Sequence, residues 1–256
     1  MISIDTRRIV AGLKTIESIA VISRVSSTNL IARRVVSECI DNDLPLPSAI
    51  IIAGEQFAGR GRNGRHWSSP AGKGIYATTL LSRPAAELAM LPLEIANIVA
   101  GYLREVFAIE AGIKWPNDIL AGGRKIAGIL IEARVQDDRA FLLAGTGVNV
   151  EPVKNESHAN AVAISEAAPR NFTGIADATV AFIEYVDERL RRQFDPDRVL
   201  TEWRRLTVHR SGDRITCAIG DRTVFGTWGG IDDHGRALIR QGEETAAISA
   251  GDLIMT

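Results

Sequence analysis

Apolar positions recur along the chain with two spacings, and each change of spacing marks a change of element. Ile9, Val10, Leu13, Ile16 and Ile19 follow helical spacing over residues 7–20, and residues 21–25 then alternate like a short strand. Ser26-Ser27-Thr28-Asn29 supplies capping side chains for a helix over residues 29–40, whose apolar face is Leu30, Ile31, Val35 and Ile40. Residues 49–53 read as a short buried strand. Residues 59–64 are too rich in glycine and charge for an element interior, and Asn63-Gly64 is a turn signal, so they form a loop. A strand is expected at 75–81, then a long amphipathic region at 85–108 with its main helix starting near Pro92.

Three apolar runs follow, divided by short turns at Gly122-Gly123 and Asp137-Asp138, and predict a three-stranded meander at 113–120, 124–134 and 140–150. A polar stretch covers 151–171. An amphipathic helix follows at 175–194, ended by Pro196, and another lies near 199–203. From Thr207 onward the pattern shifts to short strands at 214–219, 223–228, 236–240 and 245–248, separated by Gly-Asp, Asp-His-Gly and Gly-Glu turns. The expected organisation is a large domain over 1–206 and a small all-β domain over 207–256, of the size of an SH3-like barrel.

Composition narrows the class. The chain has 256 residues, with 30 Lys plus Arg against 31 Asp plus Glu, so no global charge draws it to nucleic acid or acidic membranes. Any anion site must be a local basic cluster, and Arg60 to Arg65 is one. Two cysteines without a C-x-x-C pair suggest neither a disulfide framework nor a zinc ribbon. The four histidines lack metal-ligand spacing. The most apolar stretch, 88–103, is broken by Pro92, Glu94 and Asn97, and no signal-peptide pattern opens the chain. A cytoplasmic protein without membrane contact is expected.

Three constellations carry chemistry. In Gly59-Arg60-Gly61-Arg62-Asn63-Gly64-Arg65-His66-Trp67, glycines free backbone N–H groups to face an anion and arginines bring planar donors for carboxylate or phosphate. A solvated basic loop and an Arg-Gly segment contacting RNA are the alternatives for this run alone. In Lys114-Trp115-Pro116-Asn117-Asp118 and Arg124-Lys125-Ile126-Ala127-Gly128, a two-residue loop at Gly122-Gly123 makes opposite residues sum to 245. Asp118 then faces Ala127, with Lys125 as its diagonal neighbour on the same face as Lys114. One carboxylate and two ammoniums converge there, as a reactive cluster or as a solvent-facing salt bridge. In Gly145-Thr146-Gly147-Val148-Asn149, two glycines within a strand mark a close backbone approach to a ligand, or a bulge.

Taken in order, the double-arginine glycine loop, Lys114-Trp115-Pro116-Asn117-Asp118, Lys125-x-x-Gly128-x-Leu130-x-Glu132 and Gly145-x-Gly147-x-Asn149 resemble the biotin protein ligases. Ser27-Thr28-Asn29 and Gln56 fit upstream, and Val224-Phe225-Gly226 with Gly230-Ile231-Asp232 fits in the small domain. The resemblance runs from about residue 22 to the end of the chain. It implies an α+β fold: a mixed sheet with helices packed on it, as in class II synthetase-like biotin and lipoyl ligase domains, plus the small SH3-like barrel.

The resemblance also implies a two-step reaction, in which biotin and ATP give biotinyl-AMP and a lysine of a biotin carboxyl carrier domain then takes the biotinyl group. By the same resemblance, Lys125 holds the carboxylate and α-phosphate, Arg62 the phosphate, and Asp118 orients the cluster. Ser27, Thr28 and Gln56 take the ureido ring, and Arg60 and Gly61 close over the ligand. Asn29, Gly128, Gly145 and Gly147 complete the biotin side. Arg65, Trp67, Lys114 and Asn117 belong to the ATP side with Mg2+, Asn149 faces adenine, and a second mobile loop follows it. A homodimer is compatible with the resemblance. About twenty residues precede the first strand, too few for a helix-turn-helix operator-binding domain, so no DNA partner is expected. Lipoate or octanoate ligation, and a non-catalytic biotin- or nucleic-acid-binding module, are the competing readings.

Overall fold

The structure, a computed structural model, describes residues 9–153, 160–168 and 170–255. Seven strands form one mixed sheet: β1 (Ser18–Ile22), β2 (Ala49–Ala53), β3 (Gly74–Pro84), β4 (Ala111–Lys114), β5 (Asp118–Ala121), β6 (Arg124–Gln136) and β7 (Arg139–Asn149). Their order is β1-β2-β3-β7-β6-β5-β4; only β1 and β2 run parallel. Four helices of more than ten residues accompany it: α1 (Thr28–Asp41), α2 (Leu91–Phe107), α3 (Ile175–Leu190) and α4 (Pro196–Leu206).

Helices cover both faces, so β2 reads as an unbroken apolar run. Ile50 and Ile52 join the main core under α2 and α3, whereas Ile51 joins Leu80 and Leu143 beneath Ala32 and Val36 of α1. α2 is buried nearly all round, with Pro92 in its first turn, as expected for a helix enclosed by a sheet and neighbouring helices.

Several expectations need correction. The helical spacing over 7–20 does not persist: residues 7 and 8 lie outside the described residues, helix covers Ile9 and Val10, and the chain turns before β1. A tertiary contact overrides the local pattern, because the buried Asp187 carboxylate accepts the N–H groups of Lys14, Thr15 and Ile16 at 2.7–2.9 Å. The first meander strand is a hairpin, with β4 and β5 joined through Trp115-Pro116-Asn117, whose Trp115–Pro116 bond is cis. Pro196 starts α4 instead of ending α3, and Asp195 caps α4 by accepting from the N–H groups of Asp197 and Arg198.

The small domain holds five strands, one more than its pattern revealed: β8 (Arg214–Ile219), β9 (Arg222–Ile231), β10 (Ala237–Gln241), β11 (Glu244–Ile248) and β12 (Asp252–Met255). They form an antiparallel sheet in the order β11-β10-β9-β8-β12, consistent with an SH3-like fold. Among the described residues β11 and β12 do not pair with each other, so the sheet stays open where a closed barrel was expected.

Candidate active site

On the face that carries α1, the sheet changes character along its strands. Beneath the body of the helix it presents Ile51, Leu80 and Leu143; beneath the helix N-terminus it presents Thr78, Gly145 and Gly147. Register links these positions into a transverse row, Tyr76, Gly147, Gly128, Asp118 and Lys114, across β3, β7, β6, β5 and β4. Two glycines side by side leave a trough in the sheet. A Cβ on Gly147 would overlap the Trp67 indole, one on Gly145 would overlap the Asn29 amide, and one on Gly128 would lie 2.8 Å from Trp67.

At one end of the trough, polar groups at the start of α1 are held in a buried network. Gln56 Oε1 accepts from the Thr28 N–H at 2.8 Å, and Gln56 Nε2 donates to Ser69 Oγ at 2.9 Å. The Thr78 hydroxyl donates to Asn29 Oδ1 at 2.6 Å and lies 2.8 Å from that of Thr28. Asn29 in turn donates to Glu132, which pairs with Arg33. Ser27 stands at the N-cap position but makes no capping bond through its hydroxyl, and it lines the cleft.

The glycine loop folds over the other end. Gly61 N–H donates to Arg65 O at 2.7 Å and Trp67 N–H to Gly59 O at 3.0 Å, while Asn63 makes the turn with φ 55°, a left-handed value that Asn tolerates. Arg62 donates to Asn117 Oδ1 at 2.9 Å and reaches Gly251 O at 3.4 Å. Arg65 and Asn63 both meet Asp252, so the first residue of β12 in the small domain holds the loop of the large one.

Lys125 sits between these two ends. Its Nζ is 2.6 Å from Asp118 Oδ1 and 5.1 Å from the centre of a Trp67 ring, a cation–π contact. The expected pairing of Asp118 with Ala127 is shifted by one: Asp118 faces Gly128, because the register slips between Ile119 and Leu120 and leaves Ile126 as an extra residue in β6. The slip helps the approach, since the Lys125 side chain passes over Gly128, which has no side chain to block it. Besides standing opposite Leu120 of β5, the Lys125 backbone donates its N–H to Asn160 O and accepts the Val162 N–H at its carbonyl.

The cleft is thus lined by Ser27, Thr28, Asn29, Gln56, Arg60, Gly61, Arg62, Arg65, Trp67, Asn117, Asp118, Lys125, Gly128, Gly145 and Gly147, all expected there. Lys114 stands opposite Asp118 but does not line it, and Asn149 donates to the carbonyls of Lys125 and Val162 instead of facing the cleft. Of the second loop proposed after Asn149, 154–159 lie outside the described residues. Sequence reasoning missed Asp252, Thr78 and Thr146. Thr146 lies between two flagged glycines and had a signal; Asp252 acts across 187 residues and had none. Four cations, Arg60, Arg62, Arg65 and Lys125, face two carboxylates, Asp118 and Asp252, so the lining suits an anionic ligand.

A cation-lined, glycine-floored trough on an α+β sheet, its loop held by Asp252 of the small domain, suits a class of enzyme that works on anionic substrates. Residues 21–149 match the biotin/lipoate A/B protein ligase family and residues 211–255 the biotin protein ligase C-terminal domain, and the chain belongs to this family. It is 32% identical over 255 residues to a biotin--[acetyl-CoA-carboxylase] ligase of Mycobacterium tuberculosis, covering 91% of this chain and 87% of that protein. It is 30% identical over 226 residues to the bifunctional ligase/repressor BirA of Bacillus subtilis, covering 84% and 68% respectively. A biotin protein ligase from Aquifex aeolicus, solved with biotin and ATP, shares the fold with TM-score 0.76 at 23% identity, over 94% of this chain and all of that one. Among the described residues no helix is long and apolar enough to cross a membrane.

Proposed function

We propose that this chain is an ATP-dependent ligase that activates biotin as biotinyl-5'-AMP and transfers it to a lysine of a biotin carboxyl carrier domain. The observation that carries the reading is the Lys125–Asp118 pair beside the Arg62–Asn117 pair, both at the edge of a glycine-floored trough. Joining a carboxylate to a phosphate brings two anions together, and cations must neutralise the charge that gathers on phosphorus. In the first step a biotin carboxylate oxygen bonds the α-phosphorus and pyrophosphate leaves. In the second, the carrier amine attacks the acyl carbon, AMP departs with the bonding electron pair, and the amine loses a proton.

Lys125 serves the carboxylate and α-phosphate, Arg62 the phosphate, and Asp118 fixes the ammonium. Ser27, Thr28 and Gln56 offer hydrogen bonds to the ureido ring, with Asn29, Gly145, Gly147 and Gly128 shaping the trough for the rest of biotin. Arg60 and Gly61 cover the ligand, while Arg65, Trp67 and Asn117 face the nucleotide. Lys114 and Asn149 act on the nucleotide side from behind the lining. Magnesium bound with ATP would spread the charge of the phosphates, on the side of the cleft where Arg62 and Asn117 stand.

The test offers the purified protein Mg-ATP with biotin, lipoate or octanoate, and follows pyrophosphate and the mass of the bound product. Biotin-dependent pyrophosphate and a biotinyl-AMP mass support the reading. Lipoyl- or octanoyl-AMP instead, or biotin binding without pyrophosphate, assigns the site to a lipoyl ligase or a binding module. Arg62→Ala should release biotinyl-AMP at least about tenfold faster, because loss of a charge-assisted hydrogen bond costs ~1.5–3 kcal/mol. Stopped-flow fluorescence measures it; an unchanged rate would remove Arg62 from the phosphate site.

A further inference from the structure

His209 belongs to the segment that joins the two domains, and it is buried, 5% exposed. Its Nε2 accepts the backbone N–H of Trp115 at 3.0 Å, so the ring proton sits on Nδ1. Its ring lies against Trp228 of the small domain, with centroids 4.5 Å apart. The same segment meets the hairpin once more, as Val208 N–H and the Thr207 hydroxyl both donate to Ile113 O, at 2.9 and 3.2 Å. Trp115 itself reaches the small domain through its indole N–H, which donates to Gly235 O at 3.2 Å.

This hairpin carries the groups that hold two of the four site cations, Arg62 and Lys125. Two residues beyond Trp115, Asn117 accepts from Arg62, and one residue further Asp118 pairs with Lys125. On the sheet side Asn117 is tied to Ile129 through N–H to O bonds of 2.9 and 3.0 Å. On the other side of the turn, Trp115 N–H has His209 as its partner. We propose that His209 is a positioning residue for adenylation: its neutral imidazole sets the height of the hairpin, and thereby the seats of Arg62 and Lys125. A neutral ring is required, since an imidazolium has no acceptor. Burial and the nearby charge of Lys114, opposed by Asp213, push its pKa down to about 4, so the acceptor persists at neutral pH.

The inference rests on the ligase reading, and the experiment separates the two. His209→Leu removes the acceptor at similar volume, and His209→Gln returns an oxygen near the Nε2 position. Pre-steady-state pyrophosphate bursts with saturating Mg-ATP and biotin give a rate, which reports positioning, and an amplitude, which reports the folded fraction. His209→Leu should slow the burst about tenfold at wild-type amplitude, with the Kd for biotin within twofold, and His209→Gln should recover at least half of the lost rate on a logarithmic scale. A lowered amplitude at wild-type rate, or equal loss in both variants, makes His209 merely structural and overturns the proposal. If wild type itself gives no burst, the ligase reading fails. A 15N–1H spectrum then decides for His209: an Nδ1–H tautomer constant from pH 5.5 to 8 keeps the hydrogen bond as proposed, and a ring that titrates or carries its proton on Nε2 removes it.

Discussion

Lys125→Ala should slow pyrophosphate release at saturating biotin and ATP by at least about a hundredfold, with the melting temperature within a few degrees of wild type. A partly exposed ion pair contributes ~0–1 kcal/mol to stability, so breaking Lys125–Asp118 should cost the fold little. A donor aimed at charge that develops during the reaction is worth far more, ~2.7–4 kcal/mol. The two figures make the variant discriminating: one describes a salt bridge, the other a group that acts on the reacting phosphate. Lys125→Arg keeps the charge on a longer, planar head and should show partial activity only. A Lys125→Ala enzyme that keeps more than about a third of the adenylation rate would return this residue to the salt-bridge reading.

Gly147→Ala should weaken biotin binding at least about fivefold, as measured by calorimetry. The new methyl would overlap the Trp67 indole, which lies against Gly128 of β6 and Gly147 of β7. Overpacking of this kind costs ~1–3 kcal/mol, equivalent to roughly five- to 150-fold in affinity. The indole must shift to make room, which disturbs its contact with Lys125. Trp67→Phe, introduced together with Gly147→Ala, should recover part of the loss by relieving the overlap. Wild-type affinity in the single variant would show that the trough does not touch the ligand.

Legibility in the sequence followed range. β2 was readable because five consecutive apolar residues have few other uses, and α1 because its apolar face and its Ser-Ser-Thr-Asn start agree. The glycine loop and the Lys125–Asp118 pair were readable because each arises within about ten residues of chain. Even there the route differed, as a hairpin at Trp115-Pro116-Asn117 and a slip at Ile126 replaced the straight strand and even register. Periodicity cannot report either, because it describes which face a residue takes and not which residue stands opposite. The helical spacing over 7–20 lost to a carboxylate on α3, more than 170 residues away. Asp252 and His209 were invisible for the same reason: their partners, Arg65 and Trp115, belong to the other domain.

The way β12 is held bears on how the enzyme fails with heat. It is a four-residue strand at the edge of an open sheet, paired among the described residues with β8 alone, and such strands open with far less free energy than a buried core. When it frays, Asp252 leaves Arg65 and Asn63, and Gly251 leaves Arg62, while the seven-stranded sheet stays intact. Inactivation on warming should therefore set in several degrees below the loss of circular dichroism. Hydrogen exchange at residues 252–255 should accelerate with the fall in activity, and exchange that stays slow until the whole molecule melts would place the weak point elsewhere.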